Sequence, residues 1–249
     1  MKSIGTFSKW LACGLVLASF ATTSVEAAVG KAVVRSVRGT ASYTDQGSDW
    51  KPLNVGRVLG PGATVRTGAS SQVDLFLDEN GPIVRLLEST QLGLDKLNLE
   101  RTGSDVVIET QLDLRQGTIQ GVVKKLAAAS TYEVKTPNAV AGIRGTRYQI
   151  SADDKVICTE GSLMVAYTNP VTRRISTHQV NAGQTFVPPF NPATDQPMVR
   201  ATLPQDGTLP PVGGGVFEDQ SYRAQRITVD PFVSPIAGED HRSSESETS

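Results

Sequence analysis

The chain has 249 residues, 39% of them hydrophobic and 20% charged, with a formal net charge of −1 and only two histidines, two cysteines and two tryptophans. Near-neutral charge argues against a nucleic-acid partner, and so few His and Cys side chains leave little from which to build a metal site or acid–base machinery. The length suits one or two domains with a sizeable core, and the composition points to a binding or scaffold module before it points to a reaction.

At the amino end, Lys2 and Lys9 precede an apolar run from Trp10 to Phe20, and Val25-Glu26-Ala27 places small residues for cleavage before Ala28. This pattern predicts a secretory signal peptide over 1–27. The apolar run is about half of the roughly 20 residues that a spanning helix needs, so no integral anchor is expected after cleavage, and the product is periplasmic or secreted to the cell surface. Cys13 precedes most of that run and has no lipobox around it. Beyond residue 27, Trp50 is the only tryptophan and Cys158 the only cysteine, which excludes an intramolecular disulfide in the exported chain. In the run Val156-Ile157-Cys158-Thr159 the cysteine reads as a small buried hydrophobe.

From Ala32 to Val187 the chain is a succession of short β-rich runs punctuated by Gly, Asn, Asp and Pro, which predicts an all-β domain over 28–190. The first runs are Ala32 to Arg38 and Thr40 to Thr44, hinged at Gly39. In Gln72 to Leu77, Val73, Leu75 and Leu77 share one face, the period of a half-buried strand. Asp78-Glu79-Asn80-Gly81 then closes a hairpin. The oxygen ligands of Asp74, Asp78, Glu79 and Asn80 admit a calcium reading, but they lack the EF-hand spacing, and a solvated turn is favoured.

Leu92, Leu94, Leu97 and Leu99 mix helical and strand periods and are assigned to a strand. Further strands are expected at Ile83 to Leu87, Val106 to Leu114, Thr118 to Val123, Tyr132 to Lys135, Arg147 to Ile150, Val156 to Thr159, Leu163 to Tyr167 and Thr185 to Val187, with one helical turn accommodated in Val122 to Ser130. A Gly followed by a hydroxyl residue recurs at Gly39-Thr40, Gly117-Thr118, Gly145-Thr146 and Gly161-Ser162. Equivalent corners of stacked β-units would give this echo, and so would ordinary turn-to-strand junctions. Two architectures remain open, a twisted two-layer β-sandwich and a short β-solenoid-like stack.

From 191 to 249 the composition predicts a Pro/Gly-rich and then acidic tail, largely disordered. Nine of the 14 prolines fall between Pro188 and Pro235, and residues 213–249 carry seven acidic and three basic side chains. Phe217 to Ile227 admits a short docking helix. The core from Ala28 to Phe190 is left mildly basic.

Two motif blocks carry a family resemblance. Trp50-Lys51-Pro52-Leu53 is followed by Gly56, Leu59, Gly62, Val65 and Thr67; later come Thr136-Pro137, then Arg144-Gly145-Thr146 with Tyr148, then Gly161, Val165 and Ala182-Gly183-Gln184. In order and spacing these resemble the FecR family, the extracytoplasmic domain named after a regulator of ferric-citrate uptake, over about residues 33 to 187. The residues also have a physical reading. Thr136 before Pro137 is pushed into an extended conformation and ends a strand, while Arg144 lays its guanidinium across carbonyls at a strand end or on an anion, the structural role being favoured.

The resemblance implies a stand-alone exported module that binds an envelope protein. The family's classical plan, with a cytoplasmic anti-sigma segment and a membrane helix ahead of this domain, offers signal relay to a sigma/anti-sigma pair as an alternative. No catalytic, cofactor-binding or metal-ligating residues are assigned. His178 is read as an outward, exposed side chain, no nucleophile elbow or phosphate loop occurs, and a carboxylate-dependent hydrolase stands as the remaining enzymatic alternative. Glycan binding has weak support, because the W-x-P-L motif is expected to bury Trp50.

Overall fold

A computed structural model describes residues 26–45, 47–81, 83–102 and 105–206. The described residues up to Thr202 form one compact unit. Its described residues contain nineteen strands: β1 (Glu26–Val29), β2 (Ala32–Arg38), β3 (Ala41–Thr44), β4 (Lys51–Pro52), β5 (Val58–Leu59), β6 (Thr64–Thr67), β7 (Gln72–Phe76), β8 (Ile83–Leu86), β9 (Gln91–Thr102), β10 (Asp105–Gln116), β11 (Thr118–Val122), β12 (Thr131–Lys135), β13 (Ala139–Ile143), β14 (Arg147–Ser151), β15 (Val156–Glu160), β16 (Ser162–Thr168), β17 (Ile175–Asn181), β18 (Gln184–Val187) and β19 (Met198–Ala201). Leu203 begins a second unit, described only through a single 3-10 turn, Pro204–Asp206, in which the Leu203 amide donates to the Asp206 carboxylate at 2.8 Å.

The strands make two open sheets. One has the order β17-β16-β13-β12-β10-β9-β6-β3-β4, with β1 added to β9; the other runs β19-β18-β15-β14-β11-β8-β7-β2-β5. Apolar residues alternate inward from both: Leu92, Leu94, Leu112, Val134, Ala141, Val165 and Val180 from the first, and Val73, Leu75, Leu86, Ile119, Ile150, Val156 and Phe186 from the second. Period-2 patterning alone therefore places the core between the layers.

The chain crosses repeatedly from one sheet to the other, and from β12 onward it does so in pairs of strands. β9 and β10 lie in the first sheet, β11 in the second, β12 and β13 in the first, β14 and β15 in the second, β16 and β17 in the first, β18 and β19 in the second. Neighbouring strands are antiparallel except β10 and β12, which run parallel because β11 lies between them in the chain but in the other layer. The body is thus a two-layer sandwich wound progressively along its length, which unites the two architectures that the sequence left open.

The strand runs read from alternation are found with small shifts at their ends, and the leucines from Leu92 to Leu99 lie in strand β9. Val122 to Ser130 holds no helical turn beyond the end of β11; residues 123–130 are an irregular link. The second sheet continues past Phe190, since β19 pairs with β18 from Gln184↔Ala201 to Val187↔Met198. β1 crosses the expected cleavage point between Ala27 and Ala28. Residues 1–25 of the expected signal segment and residues 207–249 of the expected tail, including Phe217 to Ile227, lie outside the described residues.

Candidate functional site

The second motif block builds the corners where the chain changes sheet. Gly39, Gly117, Gly145 and Gly161 all have φ between 68° and 78°, and each sits between a strand of one layer and a strand of the other. The Gly-hydroxyl echo therefore marks corners where the chain changes layer, Gly117 at the Ser151 end of β14 and Gly145 and Gly161 at its Arg147 end. Gly161 is constrained twice: beyond its positive φ, a Cβ there would collide with the carbonyl oxygen of Gly145 in the neighbouring corner. Thr146 locks these two corners together, its Oγ1 donating to the Ser162 carbonyl at 2.7 Å. Gly183 extends the series; its amide donates to Cys158 O at 2.8 Å, and its carbonyl accepts from Thr202 N at 2.9 Å.

Along the opposite long side, hydroxyls stitch successive corners. The Thr90 amide donates to Thr67 Oγ1 at 2.9 Å, the Thr118 amide donates to Thr90 Oγ1 at 3.0 Å, and the Thr118 hydroxyl meets that of Ser151 at 3.0 Å. These bonds satisfy corner amides that the sheet ladders leave over.

Thr136 and Pro137 end β12, as their chemistry predicts, at a corner organised by Asp154, a residue the sequence did not single out. The Asp154 carboxylate accepts from Thr136 Oγ1 at 2.6 Å, from the Asn138 amide at 3.1 Å and from Asn138 Nδ2 at 2.8 Å, while Asp154 itself is only 3% exposed. Arg144 donates through Nη2 to the Leu126 carbonyl at 3.1 Å, the structural role favoured for it. Tyr148 is fully buried.

Several other side chains named from the sequence find structural partners. Asp74 is held by Arg85 through bonds of 2.6 and 2.9 Å, Glu79 pairs with Arg101 at 2.7 Å, and Asn80 donates to Asn98 O and Thr110 Oγ1. Cys158 is buried and free, and burial pushes its thiol up to about 11. The expectation for His178 is corrected. It pairs with inward-facing Val165 and packs half-buried at 5.3 Å from the Phe186 ring, because β17 puts even-numbered residues on the core side.

The first motif block makes a surface site. Trp50, expected to be buried, is half-buried on the outer face of the first sheet. The reason is register: Pro52 pairs with Ser42, and Ser42 with Arg66, so Arg66 reaches across β3 to lay its guanidinium 4.0 Å from the Trp50 ring centre, with Nε donating to Ser42 Oγ at 2.7 Å. Leu53, Leu59 and Val65 are the block's buried anchors. Trp50, Lys51, Pro52, Leu53, Thr67 and Arg66 line a groove of about 600 Å³ whose floor includes the backbone around Gly39 and Gly68. Gly56 and Gly62 of the same block lie in turns outside the groove, their amides donating to Val34 O (2.8 Å) and Leu94 O (2.7 Å). Arg66 was missed because its role depends on pairing with a strand more than twenty residues away.

Chemically the groove offers a flat aromatic surface, two cations and several hydroxyls, suited to a backbone carbonyl, a carboxylate and apolar side-chain area on a partner. Two open sheets joined by glycine corners, with an aromatic–cation groove near one end of the first sheet, define an all-β two-layer module. Residues 63–164 match the family model described as FecR protein, the same family that the motifs resemble. No curated protein matches the chain. Among the described residues no helix is long and apolar enough to cross a membrane.

Proposed function

We propose that the protein is an exported, non-enzymatic interaction or scaffold module of the cell envelope, and that the Trp50–Arg66 groove is where it holds a partner protein. The observation that carries the reading is the division of labour within the family pattern. Its glycines, Thr136, Thr146 and Tyr148 are used in corners and core, while Trp50, Pro52, Leu53 and Thr67 gather around an exposed groove. Tryptophan and arginine are the residue types that most often dominate protein–protein affinity.

The FecR-domain match implies a role related to cell-surface signalling, and it favours relay to a separate membrane partner as the second reading. The test of the first is a photo-crosslinking residue at position 51 of the full chain in its own cells. A discrete adduct with one envelope protein, lost in Trp50→Ala and Arg66→Glu, is expected; adducts indifferent to both substitutions overturn the groove. For relay, deletion of the gene must change at least one sigma-dependent transcript.

A further inference from the structure

We infer that the end of the sandwich formed by β17 and β19 is a self-association surface whose occupant is a second copy of this chain, joined strand to strand. An unpaired sheet edge is a template for another strand, and monomeric proteins blunt such edges by shortness, charge or proline. Three of the four outermost strands are blunted. β4 has two residues, one a lysine and one a proline; β5 has two residues; β19 has four and carries Arg200. β17 has seven, Ile-Ser-Thr-His-Gln-Val-Asn, without charge, proline or bulge, and among the described residues it pairs only with β16.

Exposed large apolar side chains gather at the same end: Ile175 (71%), Val171 (61%), Met198 (55%) and Met164 (44%). They come from both layers, so the occupant must cover the first and second sheets together, which a single added peptide strand does not do. A second copy does. A two-fold axis normal to the layers sets β17 against β17, antiparallel, continues the first sheet into its counterpart with inner faces aligned, and brings the short β19 edges of the second sheets to face each other without requiring them to pair.

The sequence of β17 accepts this pairing. Centred on His178, it sets Thr177 of one copy opposite Gln179 of the other and Ser176 opposite Val180, keeping outward residues with outward and inward with inward, and it brings no like charges together.

The test is the solution mass of the purified full chain at micromolar concentration, by sedimentation equilibrium. Twice the chain mass is expected. Thr177→Glu with Gln179→Glu places carboxylates opposite each other twice across the axis and is expected to weaken the dimer by about tenfold or more. Thr177→Lys with Gln179→Glu sets opposite charges face to face and restores it. Both positions are exposed, so unchanged circular dichroism and melting serve as the folding control. A monomeric wild-type chain overturns the inference, as does a double-glutamate variant that dimerises like wild type, or a lone monomer that captures a different protein on β17. None of these outcomes bears on the Trp50–Arg66 groove, which lies at the other end of the first sheet.

Discussion

The hydroxyls of Tyr132 and Tyr148 meet at 3.1 Å in the interior, one ring delivered by β12 of the first sheet and the other by β14 of the second. The rings stand 6.5 Å apart, inclined at 60°. Each lies close over a residue with no side chain: a Cβ on Gly81 would crowd Tyr132, and one on Gly121, directly opposite Tyr148 across the β11–β14 ladder, would collide with its ring. The two glycines thus make room for the one polar contact that bridges the apolar core at this point.

Removing one hydroxyl leaves the other buried without a partner, so Tyr132→Phe or Tyr148→Phe is expected to cost about 1–3 kcal/mol in urea unfolding. The double substitution should cost clearly less than the sum, because no unsatisfied hydroxyl then remains. Additive losses would show that the contact contributes nothing.

The same burial fixes a pH dependence. Desolvation raises both phenols above their ordinary value of 10, so the folded state keeps its protons where the unfolded chain releases them. Stability contributed by the neutral pair is complete below pH 10 and falls above it, by up to about 1.4 kcal/mol per pH unit for each tyrosine. Denaturant titrations between pH 9 and 11 should show this decline, and the double phenylalanine variant should flatten it.

Gly161→Ala meets both a left-handed backbone and the Gly145 carbonyl, and a loss of at least about 2 kcal/mol is expected. Gly56→Ala, also at positive φ but facing open space, should cost only about 1 kcal/mol. Equal costs at the two positions would show that corner contact adds nothing to backbone strain.

Asp154→Ala strands the Asn138 amide at a half-buried corner, while Thr136 keeps its bond to the Ala139 carbonyl, and should cost about 1–3 kcal/mol. Hydrogen exchange should report opening first at the Asn138 amide. Protection there equal to wild type would remove Asp154 as the organiser of the corner.

Arg66→Ala uncovers the Trp50 ring while removing an interaction worth only about 0.5–1 kcal/mol at an exposed site. In a Trp10→Phe background, quenching of Trp50 fluorescence by acrylamide should rise with the melting temperature nearly unchanged. Unaltered quenching would mean that the stack does not persist in solution.

Much of this fold was readable because β-structure declares itself by alternation, and Val73-Leu75 and Leu163-Val165-Tyr167 do so plainly. β13 was hidden: Ala139-Val140-Ala141-Gly142-Ile143 is small and glycine-containing, and it is held as a strand by its neighbours β12 and β16 and not by its own propensity. β4 and β5 have two residues each, too short for any period. The corner glycines were legible as a recurring pair of residues, yet their place between the layers needed the sheets. Asp154 and Arg66 escaped for one reason, since each acts on residues at least sixteen positions away, and only strand register brings those together.

Because the chain, from β12 on, completes one strand pair before crossing to lay down the next, nearly every new strand finds its neighbour already in place and close behind it in sequence. Assembly can therefore advance as a front from β9 toward β19, each corner glycine acting as a joint at which the growing end turns over. A body of this kind can be lengthened or shortened by one pair without rebuilding what precedes it, so its length is a quantity that evolution can adjust in discrete steps.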